Sequence, residues 1–140
     1  MGHLNIENFS DYREEKLLQE ALYTVECIDS EEMSTRKGSS MLRLRLAVVD
    51  GPAQEGGRSP VGIELTDFIV LDAANAKDEK AADFIRRKAG QVFEAFGVTV
   101  ADGEYDEHDF VGRQVIAKVR PGEDQDGFPV NTISRYKKLS

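Results

Sequence analysis

Two arginines, Arg43 and Arg45, stand two residues apart in the stretch GSSMLRLRLAVVDG, residues 38–51. In a β-strand this spacing points both guanidinium groups to the same side, roughly 7 Å apart. Cations so placed can track the phosphates of a nucleic-acid backbone. They equally solvate the open face of an antiparallel sheet. Further candidate phosphate contacts are Arg36 and Lys37 just upstream, and Lys118, Arg120, Arg135 and Lys137 late in the chain. Lys118 and Arg120 join only if their face borders the same groove. Flat side chains for stacking bases come from Phe68 and Tyr136, with Tyr105 and Phe128 as outlying candidates. There is no tryptophan.

Other chemistries find less to work with. Glu64 and Asp67 fall in one predicted strand, but no Glu-x-Lys follows to complete a metal-dependent nuclease, and Asp78-Glu79-Lys80 reads better as a helix start. His3 and His108 assemble no Ser-His-Asp or Cys-His pair. No phosphate-cradling glycine loop is present. His108 lies among Asp102, Glu104, Asp106, Glu107 and Asp109, but without a second His or Cys it makes a poor metal set. Asp124, Asp126 and Gly127 lack the closing glutamate of a calcium loop. The expectation is a binding protein, not an enzyme, with no cofactor and no metal.

These residues need a scaffold. A chain of 140 residues holds one domain with one core. No apolar run is long enough to span a membrane, and the N-terminus lacks the pattern of a signal peptide. A single cysteine, Cys27, excludes an internal disulfide and fits a reducing compartment. The net charge of −8 argues against a generic nucleic-acid binder. Its distribution softens that argument. Residues 7–32 and 102–109 are acidic, whereas the charges in 36–45 and 135–138 are all basic. Screening confines each patch to about 8 Å at physiological salt.

Residues 1–20 read as an acidic arm and 21–140 as the folded domain. Residues 22–28, LYTVECI, form a first strand with Cys27 buried as a small apolar residue. Residues 29–40 read as a polar connection whose Arg36, Lys37 and Gly38 wrap a phosphate or make an ordinary turn. In the second strand Leu42, Leu44, Leu46 and Val48 face the core, with Met41, Arg43, Arg45 and Ala47 opposite. Asp50-Gly51 marks a turn. The third strand, 62–71, slips near its end, where either Phe68 or Ile69 points inward across a bulge. Asp78 caps a helix over 79–96, whose stripe of Ala81, Phe84, Ile85, Ala89, Val92, Phe93 and Phe96 faces the core. Gly97 closes it. Strands over 111–120 and 128–136 follow, joined by a turn-rich acidic loop.

Three strands, a helix and two strands is the order of an OB-fold, a five-stranded Greek-key barrel, which periodicity alone leaves as one candidate among small β-barrels and α+β folds. The run Thr35-Arg36-Lys37-Gly38-Ser39-Ser40-Met41-Leu42, continuing to Val49-Asp50-Gly51, resembles the core of a family of bacteriophage single-stranded DNA-binding proteins. Tyr23, Val25 and Cys27 match its Tyr-x-Val-x-Ile strand. Val111-Gly112-Arg113 and the closing Asn131, Ile133 and Tyr136 match its late motifs. The similarity spans roughly residues 22–139. It implies an OB-type fold and single-strand DNA binding without sequence preference, in phage replication or recombination and in the host cytoplasm. Partners are then expected among replication or recombination proteins. Without tryptophan the strongest stacking platform is missing, so binding per domain is expected to be weak and offset by self-association as a dimer or cooperative filament. The acidic loop of Glu123, Asp124 and Asp126 departs from the surface such a fold offers to a strand. The competing expectation is an OB-type protein-interaction module of phage origin that binds no nucleic acid.

Overall fold

Period-two alternation sets the sheet. Tyr23, Val25 and Cys27 are buried on β1 (Ala21–Ser34), and Leu42, Leu44, Leu46 and Val48 on β2 (Ser40–Asp50). Leu65 and Ile69 are buried on β3 (Glu64–Val70), Val115, Ala117 and Val119 on β4 (Gln114–Glu123), and Ile133 and Tyr136 on β5 (Pro129–Lys138). In the computed structural model, which describes residues 17–36, 38–124 and 126–139, these strands form one open antiparallel sheet. Its order is β3-β2-β1-β4-β5. One α-helix, α1 (Glu79–Phe96), follows β3 and precedes β4 in the chain. The described residues are thus mainly β with one α-helix. The expected closure into a barrel is not made by backbone pairing, and β3 and β5 stand as the sheet's two edges.

Helix α1 occupies the residues its caps predict. The Asp78 carboxylate accepts the Ala81 N–H, and Gly97 takes φ 71°, returning its own N–H to the Glu94 carbonyl. Only a residue tolerant of left-handed backbone ends a helix this way. The buried stripe differs from the expected one. Ala82, Val92, Ala95 and Phe96 are buried, whereas Phe84 is 69% exposed. In the first turns Ala82 takes the buried position, and Phe84 faces an open groove beside the β4–β5 hairpin.

The helix lies across both sheet edges. Lys88 Nζ is 3.7 Å from Asp67 of β3, and Gln91 Oε1 accepts the Tyr136 N–H of β5 at 3.1 Å. Tyr136 Oη donates to Asp67 at 2.7 Å, joining the two edges directly. Beneath α1, Phe93 and Phe96 each meet Phe110 edge-on, with ring centroids 5.2 and 5.3 Å apart. Such pairs add about 0.5–1.5 kcal/mol each beyond the area they bury.

Two departures from the alternation matter. First, β1 runs on through residues 29–34, which composition assigns to a loop. The register slips between Cys27 and Asp29, leaving Ile28 as an extra residue opposite β2. After this bulge Ser30 turns inward, and Asp29 and Glu31 turn outward opposite Arg45 and Arg43. Second, β3 carries no slip: its pairing with β2 is continuous from Glu64 to Val70. Phe68 is 49% exposed. The residue that breaks the apolar pattern is Asp67, which shares the inward parity of Leu65 and Ile69.

Among the described residues no helix is long and apolar enough to cross a membrane. Residues 1–16 of the expected arm lie outside the described residues. Leu18, at its end, is already part of the core, with its N–H on Asn131 Oδ1 at 2.8 Å.

Candidate nucleic-acid interface

All the even-numbered residues of β4 and the odd-numbered residues of the central part of β2 lie on the outer face of the sheet. This face carries two groups of cations, one on each side of β1.

The first group is Arg43 and Arg45. Each sits opposite an acid on β1, in the pairs Arg43↔Glu31 and Arg45↔Asp29. The Arg43 Nη2 lies 2.9 Å from Glu31 and 3.4 Å from Asp29. The Arg45 Nη2 lies 2.8 Å from Glu64 on β3, and that hydrogen bond holds Arg45 more firmly protonated. The expected paired-arginine face is therefore neutralised by its own neighbours. One valence is left over: Arg43 Nε is buried and has no acceptor among the described residues. Phe68 stands directly across from Arg43 on β3 and is half-exposed.

The second group is Lys118, Arg120, Arg135 and Lys137, on the β4–β5 hairpin. Lys118 pairs with Arg135, Ile116 with Lys137 and Arg120 with Thr132. A one-residue slip after Lys118 keeps Arg135 and Lys137 outward while both Ile133 and Tyr136 point inward. All four cations are exposed. Among the described residues none lies within 4.0 Å of a carboxylate. Leu22, opposite Lys118 on β1, is 57% exposed and gives this patch an apolar border. Along β1 the two groups are on the order of 20 Å apart.

Tyr136 is corrected by the structure. It is 3% exposed, packed on Phe96 and bonded to Asp67, so it offers no face to a base. Burial and the Asp67 charge push its phenol well above the ordinary tyrosine value. Burial likewise raises Asp67 above the usual carboxylate range, against the opposing pull of Lys88 and of the Tyr136 hydroxyl.

The loop between β1 and β2 is a tight turn. Gly38 N–H bonds the Thr35 carbonyl at 2.9 Å and Ser39 N–H bonds Thr35 Oγ1 at 3.0 Å. Asn75 and Asp72 then tie Ser39 and Ser40 to the β3–α1 link. Arg36 is exposed beside a hollow of ≈ 340 Å³ lined in part by Ser39, Asp72 and Asn75. Lys37 lies outside the described residues.

The acidic groups resolve into structural work. Glu64 and Asp67 face opposite sides of β3 and cannot converge on one metal. Asp106 caps the short 3-10 turn Glu107–Phe110, and the His108 N–H it accepts lowers its carboxyl. Asp124 Oδ1 accepts the N–H groups of Asp126 and Phe128, both at 2.9 Å, and so builds the hairpin turn. Among the described residues no three His, Cys, Asp or Glu side chains gather as a metal site. Cys27 is fully buried, and burial raises its thiol to about 11, which keeps it protonated and unreactive.

The roles of three residues escape a reading of the sequence. Asp67 is one, and its only signal is a charge at an inward position of a strand. Gln54, 7% exposed, donates to Tyr23 Oη at 2.9 Å and accepts the Gln19 N–H at 2.8 Å. Arg113 donates to the Phe96 and Gly97 carbonyls at 3.2 and 3.0 Å, closing the C-terminus of α1. Four of the residues behind the family resemblance thus serve the fold: Arg113 caps a helix, Asn131 anchors Leu18, and Ile133 and Tyr136 fill the core.

No protein-family model matches the chain, and no curated protein is significantly similar to it.

Proposed function

We propose that this protein binds single-stranded DNA without sequence preference, and that its outer face at the β4–β5 hairpin is the contact surface. One observation carries the reading: four exposed cations, without carboxylate partners among the described residues, lie side by side on β4 and β5 next to an exposed leucine of β1. A mobile polyanion needs a row of charges whose counterions are free to leave. Arg36 and the Arg43–Phe68 pair offer secondary contacts at the far end of the face. Phe68, not Tyr136, is the stacking platform.

The fold reading is of OB type. The order β3-β2-β1-β4-β5 makes β3 and β5 parallel edges, and the Asp67–Tyr136 bond with the side chains of α1 spans the gap between them. A five-stranded Greek-key barrel needs these two edges to meet. A role in phage replication or recombination, in a host cytoplasm and with the proteins of those processes, follows from the resemblance in the sequence. Self-association along the strand belongs to the same proposal.

The test is fluorescence anisotropy with a labelled oligo-dT of about 30 nucleotides, longer than one OB site of roughly 4–16 nucleotides. The same measurement is made with duplex and at two salt concentrations. Binding to the single strand, weakened by salt and faint on duplex, supports the proposal. No binding at low salt overturns it. The neutralised arginines and the net charge of −8 favour the second reading, a protein-interaction module. In that case binding depends neither on oligonucleotide length nor on the cations of β4 and β5.

A further inference from the structure

Phe84 is the most exposed aromatic on α1, at 69%. It does not stand alone. Along the same helix, Arg87 and Lys88 follow at the i+3 and i+4 positions that share its face. Gln91 continues that face. Across from them, Arg120, Thr132, Ile133 and Ser134 form the other wall of a groove of ≈ 460 Å³ between α1 and the β4–β5 hairpin. That volume falls within the roughly 300–1,000 Å³ of ordinary small-ligand pockets. The groove therefore joins an aromatic ring in solvent, an apolar floor at Ile133 and two arginines.

The charges divide between those in use and those free. Lys88 is held by Asp67 at 3.7 Å. Arg87 reaches Asp83 only at 3.9 Å, with its side chain 84% exposed. Arg120 has no carboxylate partner among the described residues and also belongs to the outer-face row opposite Thr132. It stands where the groove and the β4–β5 patch meet.

We infer that this groove is a second contact for the same single strand. A base stacks on Phe84, and the adjoining phosphate is held by Arg120 and Arg87. The inference rests on the reading of the outer face given above. It adds a path: the strand passes from Lys118 and Arg135 over Arg120 into the groove. Stacking on an aromatic ring tolerates any base, because every base has a π-face. The occupant is anionic, since the free side chains lining the groove are cationic and its other walls are neutral.

The absence of tryptophan makes the test direct. Phe84→Trp places one indole in the protein, on an exposed helix position where the change leaves the core untouched. Titration with oligo-dT is expected to quench its emission with the same midpoint that anisotropy gives. Phe84→Ala is expected to weaken binding by about 5- to 150-fold, the effect of losing one stacked base. Two results separate the failures. If the wild-type protein binds no oligonucleotide, the outer-face reading falls and this one with it. If binding is intact and lost on Lys118→Glu, while the indole stays silent and Phe84→Ala binds normally, the groove alone is overturned. Emission that changes with protein concentration and not with oligonucleotide also overturns it, and assigns the groove to a second copy of the chain.

Discussion

The two cationic regions of the outer face are alike in composition and opposite in electrostatic state. On β2, Arg43 and Arg45 sit between strands that supply Asp29, Glu31 and Glu64, and every guanidinium finds a carboxylate. On β4 and β5, Lys118 faces Arg135, Lys137 stands beside Ile116, and no acid among the described residues reaches them. The difference arises from neighbours. β2 is flanked by the acidic second half of β1 and by β3, whereas the cations of β4 and β5 flank one another. Like charges across a strand pair cost stability. In the proposed reading, the exposed pair is the site that meets the phosphates. Counting cations along a chain cannot distinguish these two conditions.

The sharpest way to break the comparison is charge reversal. Lys118→Glu with Arg135→Glu is expected to weaken oligo-dT binding by about 100-fold or more at low salt, because two phosphate contacts become repulsions. Arg45→Glu is expected to cost far less. Equal losses at the two sites, read by anisotropy, would erase the distinction.

The next effect concerns the seam that holds both regions on one body. Asp67→Ala leaves the buried Tyr136 hydroxyl without its acceptor, which costs on the order of 1–3 kcal/mol. Denaturant unfolding measures it. The pH dependence has a definite sign. Asp67 is raised in the folded state, so it binds its proton more tightly folded than unfolded. Its contribution is fully present below the ordinary carboxylate value of about 3.9, and it is lost as pH rises through the raised folded value. The stability of wild type relative to Asp67→Asn is expected to decline over that window; a flat difference contradicts the assignment.

A smaller change sharpens the comparison from the other side. Asp29→Asn, Glu31→Gln and Glu64→Gln together keep the hydrogen-bonding shapes and remove the negative charges. They should release Arg43 and Arg45 and tighten oligo-dT binding by roughly tenfold, with a steeper salt slope of about one unit per new phosphate contact. The least effect is expected from Arg45→Ala. Its exposed ion pair leaves the unfolding midpoint unchanged, and the salt slope of binding should stay that of wild type.

Local signals in the sequence were legible and non-local ones were not. The bounds of α1 follow from Asp78 and Gly97, because a cap is made within a few residues of itself. The faces of β2 follow from an unbroken alternation. Residues 29–34 defeat the same logic, since DSEEMS is polar on both sides and becomes strand only because β2 pairs with it. Phe84 fits the helical period, yet it lines an open groove beside the β4–β5 hairpin and is not packed into the core. Tyr136 looks like a surface aromatic until Asp67, far off in the chain, is placed against its hydroxyl. The cations of the candidate interface could be named from the chain. Their partners could not, because Asp29, Glu31 and Glu64 reach them only across strand pairings.

The extra residue at Ile28 behaves like an inserted base in a reading frame of two. Upstream, odd-numbered positions of β1 face the core; downstream, Ser30 and Glu32 share the side of Leu44 and Leu42. Deleting one residue from most of this strand would turn every side chain beyond it to the wrong face. At Ile28 a deletion would remove the spare and leave both halves in phase. A scan of single-residue deletions along β1 should find this position to be the tolerant one, at a strand that otherwise admits no change of length.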